Sequence, residues 1–279
     1  MSAARPDWYP NPDGTGGLRY WNGQQWTEHT HGTAQPVVAI DTPELEPVEP
    51  PRAVVIALVG FAVGAGLGLG LLAALDALGK PGGKVAALFA SELGLWAGLL
   101  GAVFYVSKRR GTGDLRRDFG WGFRKTDIGI GALGSIIGRS TTVLVAIPLY
   151  AAFHDLLRQP SVGLPTDELT GGLYVAFAVT ACIGAPIVEE LFFRGLIQTR
   201  LAWRFGAPRG IAMTSAMFGA AHLIGWQGPA SLLAATAIGS GGAVLGYLRN
   251  RTGRLGTSMV AHSMFNGFAV LLLGLGVGR

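Results

Sequence analysis

Apolar runs long enough to cross a bilayer recur from residue 53 to the end of the chain, and they leave few folds open. They lie at 53–78, 85–106, 128–153, 171–200, 210–225, 229–248 and 256–276, where a crossing needs about 20 residues. In hydrocarbon the backbone must satisfy its own hydrogen bonds, so such runs read as α-helices. They predict an all-α polytopic membrane protein of about seven transmembrane helices, with 210–225 short for a full crossing. The composition agrees: mean hydropathy is +0.40, and 14% of residues are charged against about 25% in soluble domains. Glycine makes up 44 of 279 residues. Small residues let membrane helices approach closely, and Gly60, Gly64 and Gly68, like Gly242 and Gly246, form ridges read as intramolecular packing faces.

The net charge of +5 is a topology signal and carries no nucleic-acid reading. Lys108, Arg109, Arg110, Arg116, Arg117, Arg124 and Lys125 follow the second run; Arg200, Arg204 and Arg209 follow the fourth; Arg249, Arg251 and Arg254 follow the sixth. The opposite loops hold only Lys80, Lys84 and Arg158. Basic loops stay cytoplasmic, so the chain is expected in the plasma membrane with a cytoplasmic N-terminus and an outside C-terminus. The single cysteine, Cys182, excludes an intrachain disulfide and a cysteine metal cluster. It reads as ordinary packing.

Ahead of the apolar runs, residues 1–33 form a polar module with Trp8, Trp21 and Trp26 and no signal-peptide pattern. Leu18–Trp21, then Asn22-Gly23, then Gln24–Thr27 reads as a β-hairpin, because Asn-Gly supplies the positive φ angles of a type I′ turn. Residues 34–52 carry five prolines and four acidic residues, which makes an extended linker to the membrane domain at 53–279. A protein partner is one expectation for the module.

Polar side chains interrupt the apolar helices in three places: Glu189-Glu190-x-x-x-Arg194, Phe218-x-x-x-His222 and His262-x-x-x-Asn266. Ionisable groups in hydrocarbon cost roughly 2.5–3.5 kcal/mol each on insertion scales, and they mark functional sites facing a polar interior. Residues four apart share a helical face. Glu190 and Arg194 are therefore expected to form a structural ion pair, leaving Glu189 free for chemistry, with Pro186 opening the backbone one turn earlier. Phe218 and His222 share a face, as do His262 and Asn266. Glu189 suits a general base acting on water. The histidines can polarise that water, hold a divalent metal or stabilise an oxyanion, and Asn266 supplies an amide donor. A bland alternative stands beside this, because a lone membrane histidine is more often an interhelical hydrogen-bond donor. His222 sits deeper than Glu189 and His262, so a tilted or half-penetrating fifth helix is expected, turning at Trp226 and Gln227. Asp76, Glu92 and Arg139 are further polar residues inside the runs, and a Glu92–Arg139 pair is expected between helices. His29, His31 and His154 lie outside the runs and receive no catalytic role.

In these motifs the chain resembles the CAAX-protease and bacteriocin-processing (CPBP, or Abi) family of intramembrane endopeptidases, whose patterns are EExxxR, FxxxH and HxxxN. The resemblance covers about 125–276. It implies that Glu189 activates water, that His222 and His262 are catalytic or metal-binding, and that Asn266 helps form the oxyanion site. Glu190, Arg194 and Phe218 give structural support. It also implies a divalent metal, zinc first, on His222 and His262 with Glu189 or Asn266, although the chain lacks a His-Glu-x-x-His helix. The N-terminal segment resembles a short tryptophan-rich module of unknown function found in actinobacterial membrane proteins.

The function expected is therefore intramembrane endopeptidase cleavage of a membrane-associated protein or peptide. Two competing readings are a non-catalytic scaffold or immunity protein of the same fold, and a transporter using carboxylates as a proton relay. The absence of evident inverted repeats weighs against the transporter.

Overall fold

The computed structural model describes residues 7–13, 18–31, 50–78, 83–157, 169–223 and 228–276, and every structural statement below refers to these. Most of the predicted linker, together with Lys80, Arg158, Trp226 and Gln227, lies outside them. The chain separates into two compact units, Met1–Leu45 and Glu46–Arg279.

The first unit is an antiparallel sheet of three strands: β1 (Asp7–Pro10), β2 (Leu18–Trp21) and β3 (Trp26–His31), in the order β1-β2-β3. The predicted hairpin is present as β2–β3, and β1 joins it through pairing of Tyr9 with Arg19. Its turn differs from the expected type I′. Trp21 pairs with Trp26, which leaves a four-residue loop, Asn22–Gln25. Only Gly23 in that loop has positive φ, at 93°. Asn22 instead accepts the backbone N–H groups of Gln24 and Gln25 on its side-chain oxygen at 2.9 and 2.8 Å. An Asx acceptor thus replaces the second left-handed residue. Edge-on contacts of Trp26 with Trp21 (5.3 Å between centroids) and Tyr9 (6.1 Å) hold the small sheet together.

The second unit is helical: α1 (Pro50–Ala77), α2 (Lys84–Arg110), α3 (Leu115–Phe119), α4 (Thr126–Ala152), α5 (His154–Leu157), α6 (Gly171–Phe205), α7 (Ala207–Ala221), α8 (Pro229–Thr252) and α9 (Leu255–Gly274). Six of these, α1, α2, α4, α6, α8 and α9, are long and apolar enough to cross a membrane. The fifth predicted run, 210–225, became α7, with 15 residues. That is about 22 Å of helix, short of a hydrocarbon core of about 30 Å. Glycines set the closest approaches. A methyl at Gly98 would stand 2.2 Å from the Gly60 carbonyl oxygen, and one at Gly64 would stand 2.5 Å from that of Leu95, so α1 and α2 pack backbone to backbone. The Gly60–Gly68 ridge is an internal seam.

The loops bearing the basic residues meet at one end of this unit. Leu255 donates its N–H to Gly120 O (2.8 Å), Gly256 donates to Gly122 O (2.9 Å), and Arg249 Nη2 donates to Phe119 O (2.9 Å). Gly210, opening α7, lies against the backbone of Ala202 in α6. Asp127 fixes the junction. Fully buried, its carboxylate accepts from Arg124 N (2.7 Å), Thr257 Oγ1 (2.5 Å) and Arg254 Nε (3.0 Å). The Arg254 guanidinium is held above its ordinary pKa by its hydrogen bonds to Asp127. Asp127→Ala strands these donors, and removal of one partner from a buried pair costs about 3–5 kcal/mol. The expected outcome is a lower midpoint in detergent melting followed by intrinsic fluorescence, whereas Arg117→Ala, at an exposed pair, changes stability by no more than about 0.5 kcal/mol.

Candidate active site

Glu189 and Glu190 are adjacent in α6 and point into different environments. Glu190 and Arg194 are both 0% exposed, and Arg194 Nη1 lies 3.1 Å from Glu190 Oε1. The expected ion pair is formed, and it has further partners. Arg194 Nη2 donates to the Gly242 carbonyl at 3.0 Å, and its guanidinium carbon lies 4.2 Å from the Phe218 ring centroid. One turn on, Gln198 Nε2 donates to the Gly246 carbonyl at 2.9 Å. The spacing Gly242-x-x-x-Gly246 therefore mirrors Arg194-x-x-x-Gln198, and glycine lets the two helices approach closely enough for both bonds. This role was not legible from the glycine ridge alone, because it needed the partner helix.

His262 lies 3.1 Å from Glu190 through Nδ1 and 3.9 Å from Glu189 Oε2 through Nε2. With Nδ1–H donated to Glu190, the Nε2 lone pair faces Glu189; a carboxylate behind an imidazole fixes its tautomer in this way. Glu189 Oε2 is itself buried and has no hydrogen-bond partner among the described residues. His222 ends α7, and its Nδ1 lies 2.8 Å from the Phe218 carbonyl, which accepts the Nδ1–H of that tautomer and leaves Nε2 as an acceptor. Phe218 is the common neighbour. Its ring lies 4.8 Å from that of His222, 5.7 Å from His262 and 5.1 Å from Phe193. The structure thus brings Glu189, Glu190, Arg194, His262 and Phe218 into one cluster, with His222 joined through Phe218.

Asn266 has a backbone partner that the sequence did not reveal. Its Nδ2 donates to the carbonyl of Ala181 at 2.7 Å, so one amide N–H serves the backbone. The cause is local. α6 widens into π-helical turns at Thr180–Gly184 and again at Glu190–Gln198. In the first, Ala185 N–H bonds Thr180 O, five residues back. The next donor in that register would be residue 186, which is Pro186 and has no N–H. Ala181 O is left over, and Asn266 supplies the missing donor. π turns are rare and concentrate at functional sites. Pro186 was a visible signal of an opened backbone; its partner 80 residues away was not.

The expected Glu92–Arg139 pair is absent. Arg139 donates Nη2 to the Phe265 carbonyl and stacks 3.9 Å from the Phe265 ring centroid, holding α4 to α9. An aromatic face with a carbonyl behind it satisfies a guanidinium without a carboxylate. Glu92 lies on α2 within electrostatic reach of Glu189.

Residues 171–268 match the family model described as type II CAAX prenyl endopeptidase Rce1-like. That stretch of the membrane unit is similar to an Rce1-like domain. The match spans all three motifs and leaves α1, α2 and α4 outside it. Residues 6–39 match a family of unknown function, DUF2510. No curated protein and no solved structure gives a match. With six apolar helices and this domain, the chain is a multi-pass membrane protein.

For the expected zinc, the donors are the Nε2 atoms of His262 and His222 with Glu189 Oε2 or the side-chain oxygen of Asn266. No group of three His, Cys, Asp or Glu side chains lies at metal-binding separation among the described residues. His222, His262 and Glu189 do not stand together as a three-ligand site among the described residues, and no chemical step below passes through a metal.

The Pro186–Asn266 relation has a direct test. Asn266→Ala exposes an unpaired carbonyl and is expected to lower stability by about 1–3 kcal/mol. In Pro186→Ala the N–H returns, so the same Asn266 change costs less there. Melting midpoints of the four proteins in a double-mutant cycle give the coupling; additive effects within about 0.5 kcal/mol overturn the relation.

Proposed function

We propose that the chain is an intramembrane endopeptidase that hydrolyses a peptide bond of a membrane-associated protein or peptide by means of a glutamate-activated water. The observation that carries this reading is the buried Glu189 Oε2, unpaired among the described residues, facing His262 Nε2 across 3.9 Å. Glu190 Oε2 is likewise buried and unpaired among the described residues; Glu189 differs in facing a histidine nitrogen across a gap that one water can bridge. A water between the two atoms donates one O–H to Glu189 and the other to His262 Nε2. Glu189 takes the proton as the oxygen attacks the scissile carbonyl, and carries it to the departing amine. The tetrahedral oxyanion is met by hydrogen-bond donors of the site; the second N–H of Asn266 is one, since only one is used on Ala181. Glu190 and Arg194 take no proton. They set the tautomer of His262 and fix the helix that presents Glu189. The expected cytoplasmic N-terminus accords with the shared basic end of the helical unit.

Glu189→Gln keeps shape and polarity and removes the base. It is expected to lower cleavage by at least about 10²-fold, with an unchanged melting midpoint. The measurement is proteomic detection of new protein termini in membranes of a deletion strain carrying wild-type or variant protein. Identical termini, with the variant rescuing any phenotype, would favour the non-catalytic scaffold. Chelation separates the two ways of activating water. Cleavage by purified protein is expected to survive prolonged dialysis against a strong chelator. Loss on dialysis with recovery on zinc addition would place a metal on His222, His262 and Glu189.

A further inference from the structure

A second cleft, of about 480 Å³, opens between the α3–α4 loop and the outer side of α9, at the end where the basic loops meet. Met259, Val260 and Met264 of α9 line one wall, Trp121 and Phe123 the other, and Arg116 closes the end. Trp121 is 38% exposed, Phe123 58% and Met264 39%, large apolar groups that a soluble surface would hide. Around α9, at about 100° per residue, Val260 and Met264 lie roughly 160° from His262 to either side, so the cleft faces away from the Glu189 cluster.

Its walls are fixed. Gly120 at φ 73° turns the loop, Trp121 N donates to Leu115 O at 3.1 Å, and the loop carbonyls of Gly120 and Gly122 cap the first N–H groups of α9. Arg116 forms no ion pair among the described residues, whereas its neighbour Arg117 approaches Asp114 at 3.9 Å. The cleft is thus an apolar trough with tryptophan at its edge and one uncommitted cation at its end. Arg109 and Arg110 end α2 and Arg124 stands in the α3–α4 loop, so basic residues outnumber Asp114 and Asp118 at this end.

From this arrangement we propose that the cleft binds a single anionic phospholipid of the surrounding leaflet, with its phosphate at Arg116 and one acyl chain against Val260 and Met264. The charge selects the headgroup and the apolar wall selects a lipid over a soluble phosphate. Tryptophan at the interface between headgroup and chain is its ordinary station. Because the loop and α9 are pinned together, the lipid braces the helix that carries His262 from its outer side. The binding itself is independent of any proteolytic reading.

The test uses the full chain purified in detergent and offered an equal mixture of dioleoyl phosphatidylglycerol and dioleoyl phosphatidylcholine, with retained lipid counted by native mass spectrometry. The wild type is expected to retain one phosphatidylglycerol in preference to phosphatidylcholine by about fivefold, the factor one basic side chain confers towards an anionic lipid. Arg116→Ala, at an exposed position, is expected to lose the preference, while Arg117→Ala keeps it. Val260→Trp and Met264→Trp, which fill the trough, are expected to reduce retention of both lipids. Equal retention of the two lipids by the wild type, or equal losses in Arg116→Ala and Arg117→Ala, overturns the proposal. So does undiminished retention in folded Val260→Trp and Met264→Trp, with folding checked by melting midpoint.

Discussion

The guanidinium of Arg194 is the constraint around which the helical unit is arranged. A cation with no exposed surface is tolerable only when its charge is matched and its donors are placed, because an uncompensated buried charge costs several kcal/mol. Four features answer its charge and its Nη2 donor from three other helices and its own: the Glu190 carboxylate, the Gly242 carbonyl, the Phe218 ring and, through Glu190, His262, while Nε has no hydrogen-bond partner among the described residues. A methyl at position 242 would stand 2.9 Å from the Phe218 ring and 3.0 Å from Arg194 Nη2, so the carbonyl is reachable only past a glycine. One charge therefore dictates how α6, α7, α8 and α9 meet. It also decides which of two neighbouring glutamates is held in an ion pair and which is left outside it.

The widened turns of α6 complete that division. A regular α-helix places residues about 100° apart, and the π turns at 180–184 and 190–198 change that phase on both sides of Glu189. Such turns are less favourable than α-helix and persist where the surroundings hold them. Here Pro186 rules out one regular hydrogen bond, and the Asn266 amide takes up the carbonyl released. Asn266 thereby ties α9 to α6 two turns before Glu190, while His262 ties it at Glu190 itself. Two contacts one turn apart on α9 fix the rotation of both helices, which is what holds His262 Nε2 opposite Glu189.

Helical spans, the basic loops and the three motif pairs were legible in the sequence because each rests on a local period. Apolar length gives the helices, and a spacing of four puts Glu190 beside Arg194. What the sequence hid depends on contacts between distant segments. Asp127 reads as an ordinary first-turn acid, yet it is buried against Arg254 and Thr257, more than 120 residues on. Arg139 invited an acidic partner and found an aromatic face and a carbonyl. Asn22-Gly23 signalled a turn, but the register of Trp21 against Trp26 made it four residues long. The fold class followed from local patterning, while the wiring of the site needed the helices already packed.

The short α7 connects that wiring to the chemistry. At 15 residues it is shorter than a full crossing, and carbonyls that end a helix inside hydrocarbon cannot be satisfied by lipid. Non-helical backbone at such depth is tolerated only inside protein or beside water. His222 answers part of the need, since its backbone N–H bonds Gly219 O and its Nδ1 is matched to Phe218 O. On the proposed reading, the water that meets any acceptor left over there is also the reactant. On that reading a longer α7 would extend the hydrocarbon seal over that depth and close the path of water to Glu189. The short helix then trades backbone satisfaction for access, and the imidazole at its end stands between the two.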